Sequence, residues 1–134
     1  MEVVETVSME YNVLIVDDSK LIVDRLTSLL KELDCISYIG SANSFAEASS
    51  LMEMNAYNLA ILDINLPGKN GIELLTHIKE FHPGIKTIML TNQTESYYRE
   101  LCNKIGSDDY VDKTNDFERI PDLINTYYSS YVNK

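Results

Sequence analysis

Short apolar runs alternate along the chain with longer stretches in which apolar residues recur every three or four positions. The runs are Asn12–Val16, 36–40, Leu59–Leu62, 87–90 and 110–111. They are continuously apolar rather than alternating, the pattern of strands covered on both faces. A helix-length segment follows each run. In 19–33, Ile22, Leu26, Leu29, Leu30 and Leu33 form one apolar stripe. Segment 44–54 opens with Ser44 and Glu47 at capping-box spacing. Segment 72–81 turns Leu75 and Ile78 inward and stops before Pro83-Gly84. Segment 94–105 groups Tyr98, Leu101, Cys102 and Ile105 and ends at Gly106 as a C-cap. The last helix groups Ile120, Leu123, Ile124, Tyr127, Tyr128 and Tyr131, with Pro121 best tolerated in its first turn.

Five strand–helix repeats predict an α/β fold, a doubly wound open five-stranded parallel sheet with five helices and right-handed crossovers. In such sheets, sites form at the carboxyl ends of the strands. Asp17-Asp18 follows the first strand, Asp63 the third, Thr91-Asn92 the fourth and Lys113 the fifth. Singly, each is an ordinary turn, cap or surface residue. The fold gathers them on one rim, and the joint pattern carries the information.

Composition narrows the choices. At 134 residues the chain has the length of about one domain. Its net charge of −10 opposes nucleic-acid phosphates and anionic membrane surfaces, and its Lys and Arg residues form no basic patch. No apolar run is long enough for a transmembrane span, and the amino-terminus lacks the pattern of a secretory signal. A cytoplasmic location is expected. Cys35 and Cys102 stand far apart without a Cys-x-x-Cys motif and read as small core hydrophobes.

Three crowded carboxylates repel one another and raise one another's pKa values. A hard divalent cation relieves this, and oxygen ligands suit Mg²⁺. Lys113 adds a second positive charge. Thr91 and Asn92 bring a hydroxyl and backbone donors near a helix start, which favours anions. Carboxylate, cation, lysine and hydroxyl together describe phosphoryl transfer to an aspartate.

The stretches from Val13 to Ser19, from Ile61 to Gly68 and on to Gly71, from Met89 to Asn92, and from Gly106 to Lys113 resemble the receiver domain of two-component response regulators. The likeness spans about residues 11–130. It implies flavodoxin-like strand order 2-1-3-4-5, a short acidic lead over 1–10 and a receiver domain over 11–134. It also implies that Asp63 is the phosphoacceptor. Asp18 would be a direct Mg²⁺ ligand together with Asp63 itself, Asp17 a partner acting mainly through water, and Asn65 a backbone-carbonyl ligand, with Mn²⁺ a possible substitute. Thr91, Asn92 and Lys113 would contact the phosphoryl group, and Tyr110 would be the aromatic that changes rotamer. Asn65 and Gln93 would flank the path of the water that ends the signal.

The resemblance implies a switch rather than a turnover enzyme. It would take its phosphoryl group from a histidine kinase or a histidine phosphotransfer protein. Output would pass through protein contact with a downstream target or a second copy of the chain. The expected face is built from helix four, strand five and helix five, where Tyr97 and Tyr110 are taken as partly exposed aromatics. The main rival is a receiver-like interaction module that is never phosphorylated, but such a module would usually have lost one of these residues. A flavin protein of the same topology would want a phosphate loop where Asp17-Asp18 stands. An aspartyl phosphatase would want a spacer between those two acids. One departure from the family is Thr114, where proline usually follows the lysine, often through a cis bond. Either that bond is trans here with a rearranged loop, or a cis form is kept at about 3–4 kcal/mol.

Overall fold

A computed structural model describes residues 10–133. The acidic lead lies outside the described residues except for Glu10, which is exposed. The strands are β1 (Asn12–Val16), β2 (Tyr38–Ala42), β3 (Leu59–Leu62), β4 (Lys86–Thr91) and β5 (Asp109–Asp112). They pair in parallel in the order β2-β1-β3-β4-β5, the doubly wound arrangement expected. The helices are α1 (Lys20–Leu30), α2 (Phe45–Met54), α3 (Gly71–Phe81), α4 (Ser96–Ile105) and α5 (Ile120–Val132), the last preceded by a 3₁₀ turn at Phe117–Arg119.

Alternation along β1 divides the core in two. Val13 and Ile15 pack with Leu26 and Leu30 of α1 and with Ile120 and Ile124 of α5. Leu14 and Val16 face the other way, onto Ala48 and Met52 of α2, Leu74, Leu75 and Ile78 of α3, and Cys102 of α4. β3 divides likewise, with Leu59 and Ile61 on the first side and Ala60 and Leu62 on the second. β1 and β3 bury both faces, which is why they read as unbroken apolar runs. Cys102 is fully buried and Cys35 half-buried, both as free thiols.

Several boundaries differ from expectation for identifiable reasons. β2 lies two residues later than its apolar run, because it is an edge strand in register with β1, Asn12 against Tyr38 through Val16 against Ala42. Ile36 packs against the core without belonging to the strand. α1 stops at Leu30, and the chain tightens through Glu32 N–H to Leu29 O and Leu33 N–H to Leu30 O, leaving Leu33 against the core. Ser44 caps α2 by accepting from Glu47 N–H at 3.2 Å, but Glu47 returns its bond to Asn43 N–H at 2.9 Å. A complete capping box sits instead on α3, between Asn70 and Glu73. α4 ends as expected at Gly106, whose φ of 123° suits glycine.

The amino ends of β4 and β5 are bound together by Asp108. Its carboxylate accepts from Thr87 N–H at 2.8 Å, from the Thr87 hydroxyl at 3.3 Å and from Lys79 Nζ at 3.3 Å. Its own N–H donates to Thr87 O at 2.9 Å. Among the described residues no helix is long and apolar enough to cross a membrane.

Candidate functional site

The carboxyl ends of β1, β3 and β5 bring three carboxylates and one ammonium together. Asp17 directly follows β1, and its N–H donates to Ala42 O at 3.0 Å. Asp63 directly follows β3, and its N–H donates to Val16 O at 3.0 Å. Both side chains are thus carried on paired backbone, and both residues are buried, 3% and 5% exposed. Asp18 is exposed beside them, and carboxylate oxygens of Asp17, Asp18 and Asp63 lie within 4.8 Å of one another. Ser19 closes the β1–α1 corner: its N–H donates to Asp17 Oδ1 at 2.8 Å, and its hydroxyl accepts from Ile22 N–H at the start of α1.

Gly71 brings α3 against this corner. Its N–H donates to Ile64 O at 2.8 Å. A Cβ at position 71 would lie 1.9 Å from the Asp63 carbonyl oxygen, so only glycine lets the helix begin there.

Lys113 crosses from β5. Its Nζ donates to Asp17 Oδ2 at 2.7 Å and to Asp63 Oδ2 at 3.0 Å. Burial works against the lysine's charge, but the two carboxylates outweigh it and hold the pKa above its usual value. Burial raises the pKa of Asp17, and the bond from Lys113 opposes that rise. Three carboxylates face one ammonium, leaving two negative charges for a cation to neutralise. The donor set is all carboxylate oxygen with one member open to solvent, which fits a hard divalent ion that keeps waters. A groove of about 390 Å³ opens beside the cluster, lined in part by Asp18, Lys20, Asn43 and Glu47.

β4 supplies the other expected residues. Thr91 is fully buried; its hydroxyl accepts from Gln93 N–H at 3.3 Å, and its carbonyl accepts from Lys113 N–H at 3.0 Å. Asn92 is exposed, and its Oδ1 accepts from the Thr114 hydroxyl at 3.2 Å. Gln93 Nε2 donates to Asn65 Oδ1 at 3.3 Å, joining the two residues expected to flank the water path. Asn65 N–H lies 3.4 Å from Asp63 Oδ1.

Tyr110 corrects an expectation. It is not partly exposed but buried, 7% exposed, with its ring in the α2–α4 core and its hydroxyl donating to the Gln93 carbonyl. Arg99 stacks on the ring 4.7 Å from its centroid. Burial pushes the phenol up to about 12, so it is a hydrogen-bond donor at neutral pH. Tyr127, Tyr128 and Tyr131 pack against the α1–α5 core, which leaves Tyr97, 67% exposed, as the open aromatic of the expected output face.

The Lys113–Thr114 peptide is trans, since no described peptide bond is cis. The turn after it is built on Asp112, a residue to which the sequence alone assigned no role. Its signal was an aspartate followed closely by Thr114 and Asn115, which suits a side chain that accepts from the backbone ahead of it.

The doubly wound sheet and the acid–lysine cluster on its carboxyl edge define a class, the α/β proteins whose chemistry sits at the strand ends. Within it, the chain belongs to the response regulator receiver domain family, whose model matches residues 13–125, and so to two-component signalling. The transcriptional regulatory protein MalR of Bacillus subtilis is 31% identical over 116 residues, covering 87% of this chain and 49% of that protein. Response regulator UvrY of Escherichia coli is 28% identical over 118 residues, covering 88% and 54%. The crystal structure of a CheY-like response regulator receiver domain protein from Methanospirillum hungatei superposes with a TM-score of 0.83 at 27% identity, covering 92% of this chain and 97% of that one. The chain spans about half the length of the curated relatives it matches.

Proposed function

We propose that this chain is a phosphorylation-dependent switch with Asp63 as the phosphoacceptor. The observation that carries the reading is Lys113 Nζ held at 2.7 Å from Asp17 and 3.0 Å from Asp63 inside the three-carboxylate cluster. A buried ammonium beside a buried acid is a ready partner for an arriving phosphoryl oxygen.

An Asp63 carboxylate oxygen attacks the phosphorus of a phosphohistidine on a kinase or phosphotransfer domain. The P–N bond breaks, and its electron pair stays on the imidazole nitrogen. Lys113 moves its hydrogen bond from the carboxylate to the new phosphoryl group and so offsets charge where it accumulates. Asp17, Asp18, Asp63 and the Asn65 carbonyl would hold Mg²⁺, or Mn²⁺ in its place, and a bound divalent ion would neutralise acceptor and phosphoryl oxygens alike. The Thr91 hydroxyl and Asn92 then bond the phosphoryl group. As the Thr91 hydroxyl turns to donate to the phosphoryl group it draws on the Gln93 N–H from which it accepts, and Gln93 carries the Tyr110 hydroxyl on its carbonyl, so phosphorylation reaches β5 through two hydrogen bonds.

Output passes to a protein partner or a second copy of the chain on the α4–β5–α5 face, where Tyr97 is open. No nucleic-acid contact is assigned to this segment, on its net charge of −10. The test is intact mass after a small phosphodonor and Mg²⁺. One added phosphoryl group is expected on the wild-type protein and none on Asp63→Asn; an equal gain on both overturns the assignment.

A further inference from the structure

A turn built on Asp112 follows Lys113. Asp112 Oδ1 accepts from Thr114 N–H at 2.8 Å and from Asn115 N–H at 3.4 Å. Oδ2 accepts from Asn115 Nδ2 at 2.9 Å, and the Asp112 carbonyl accepts from Asp116 N–H at 2.9 Å. One residue therefore gathers donors from the three residues that follow the lysine. The strongest of these bonds needs an N–H at position 114, which proline lacks. The Thr114 hydroxyl then reaches Asn92 Oδ1 at 3.2 Å, on the residue that directly follows Thr91 at the end of β4.

Lys113 stands between these restraints. Its N–H is held by the Thr91 carbonyl on one side, and its carbonyl leads into the Asp112 turn on the other. Its side chain is a flexible stem carrying a point charge, so the backbone decides whether the ammonium stays between Asp17 and Asp63. Asp112 touches neither acid. Its carboxylate is held below the usual carboxylate range, chiefly by the Thr114 N–H, so it stays ionised and accepting at neutral pH.

We propose that Asp112 is a positioning residue for phosphoryl capture: through the turn over residues 114–116 it fixes the backbone from which Lys113 reaches the acceptor, and through Thr114 it ties that backbone to Asn92. The inference rests on the phosphorylation reading above. It assigns the position after the lysine a role that Thr114 can fill through both its N–H and its hydroxyl.

The experiment uses beryllofluoride, which mimics the phosphoryl group and so engages Lys113, and Mg²⁺ alone, which engages the carboxylates. Asp112→Ala should bind beryllofluoride about tenfold more weakly, the size of one charge-assisted hydrogen bond. Its affinity for Mg²⁺ alone should stay within about twofold of wild type, because no carboxylate ligand moves. Asp112→Asn keeps an acceptor for Thr114 N–H and should recover most of the loss, and Thr114→Val should lose part of it. Equal beryllofluoride affinity in Asp112→Ala and wild type overturns the proposal. So does a parallel fall in both affinities, which marks general damage. Should Asp112→Ala not fold, Asp112→Val, which also lacks an acceptor and suits the end of a strand, carries the same comparison. A wild-type protein that ignores beryllofluoride in Mg²⁺ refutes the phosphorylation reading itself.

Discussion

Gln93 and Asn65 are joined side chain to side chain, Nε2 to Oδ1 at 3.3 Å, although they lie on the loops that follow β4 and β3. Asn65 is exposed and two residues beyond Asp63, so this bond bridges the solvent side of the acceptor. A water attacking a phosphoryl group on Asp63 from that side has to pass it. Gln93→Ala removes the bridge and should shorten the lifetime of the phosphorylated form. A net hydrogen bond of about 0.5–1.5 kcal/mol corresponds to a change of roughly 2- to 10-fold. Decay of the acyl phosphate after donor removal measures it, and a lifetime equal to wild type removes the bridge from the mechanism.

Lys113→Ala leaves Asp17 and Asp63 buried with their shared partner gone. Removing one member of a buried pair costs roughly 3–5 kcal/mol. Urea unfolding at neutral pH should show a loss of that order, and saturating Mg²⁺ should restore part of it by supplying the missing positive charge. A variant as stable as wild type without metal would mean that the lysine contributes nothing to the resting fold.

Gly71→Ala places a methyl group 1.9 Å from the Asp63 carbonyl oxygen. Neither backbone can yield without moving α3 or the acceptor. A destabilisation of at least about 2–3 kcal/mol is expected, together with loss of Mg²⁺ binding. The same exchange at Gly84, where an added Cβ meets nothing within 4 Å, is the control and should leave Mg²⁺ binding intact.

His77 sits between Phe45 and Phe81, with ring centroids 5.3 and 4.8 Å away. Burial first, and His82 second, lower its pKa from the ordinary 6.5. The folded state therefore binds this proton less tightly than the unfolded chain. The stabilising contribution is present above pH 6.5 and is lost as pH falls through the lowered folded value. Unfolding measured at successive pH values from 7 to 5 should show that loss, and His77→Gln should show less of it. The same pH dependence in both proteins would assign it to other groups.

Much of the architecture was readable because burial on both faces leaves unbroken apolar runs, as in β1 and β3, and because acids and a lysine directly follow those strands. Asp17, Asp18, Asp63 and Lys113 meet where the topology sends strand ends, so knowing the fold was enough to gather them. β2 was misplaced because an edge strand takes its register from its neighbour, and Ile36 is buried without pairing. The capping box of Asn70 and Glu73 was passed over because Gly71 and Ile72 gave no sharp start to a stripe. Tyr110 and Asp112 were beyond reach for another reason. Whether a ring turns inward, or a carboxylate bends forward onto its own chain, depends on the loop opposite, here 92–95 and 114–116. No periodicity records that.

Asp108 binds β4 and β5 at their amino ends, while the groups expected to respond to a phosphoryl group, Thr91 and Lys113, sit at the other end. The amino ends of β4 and β5 are a common reference, tied together at Thr87 and Asp108, so in the proposed switch a shift of Thr91 would be taken up beyond the strand, in the loop that leads into α4. A partner reading α4 would sense that shift, and one gripping the turn before β5 would not.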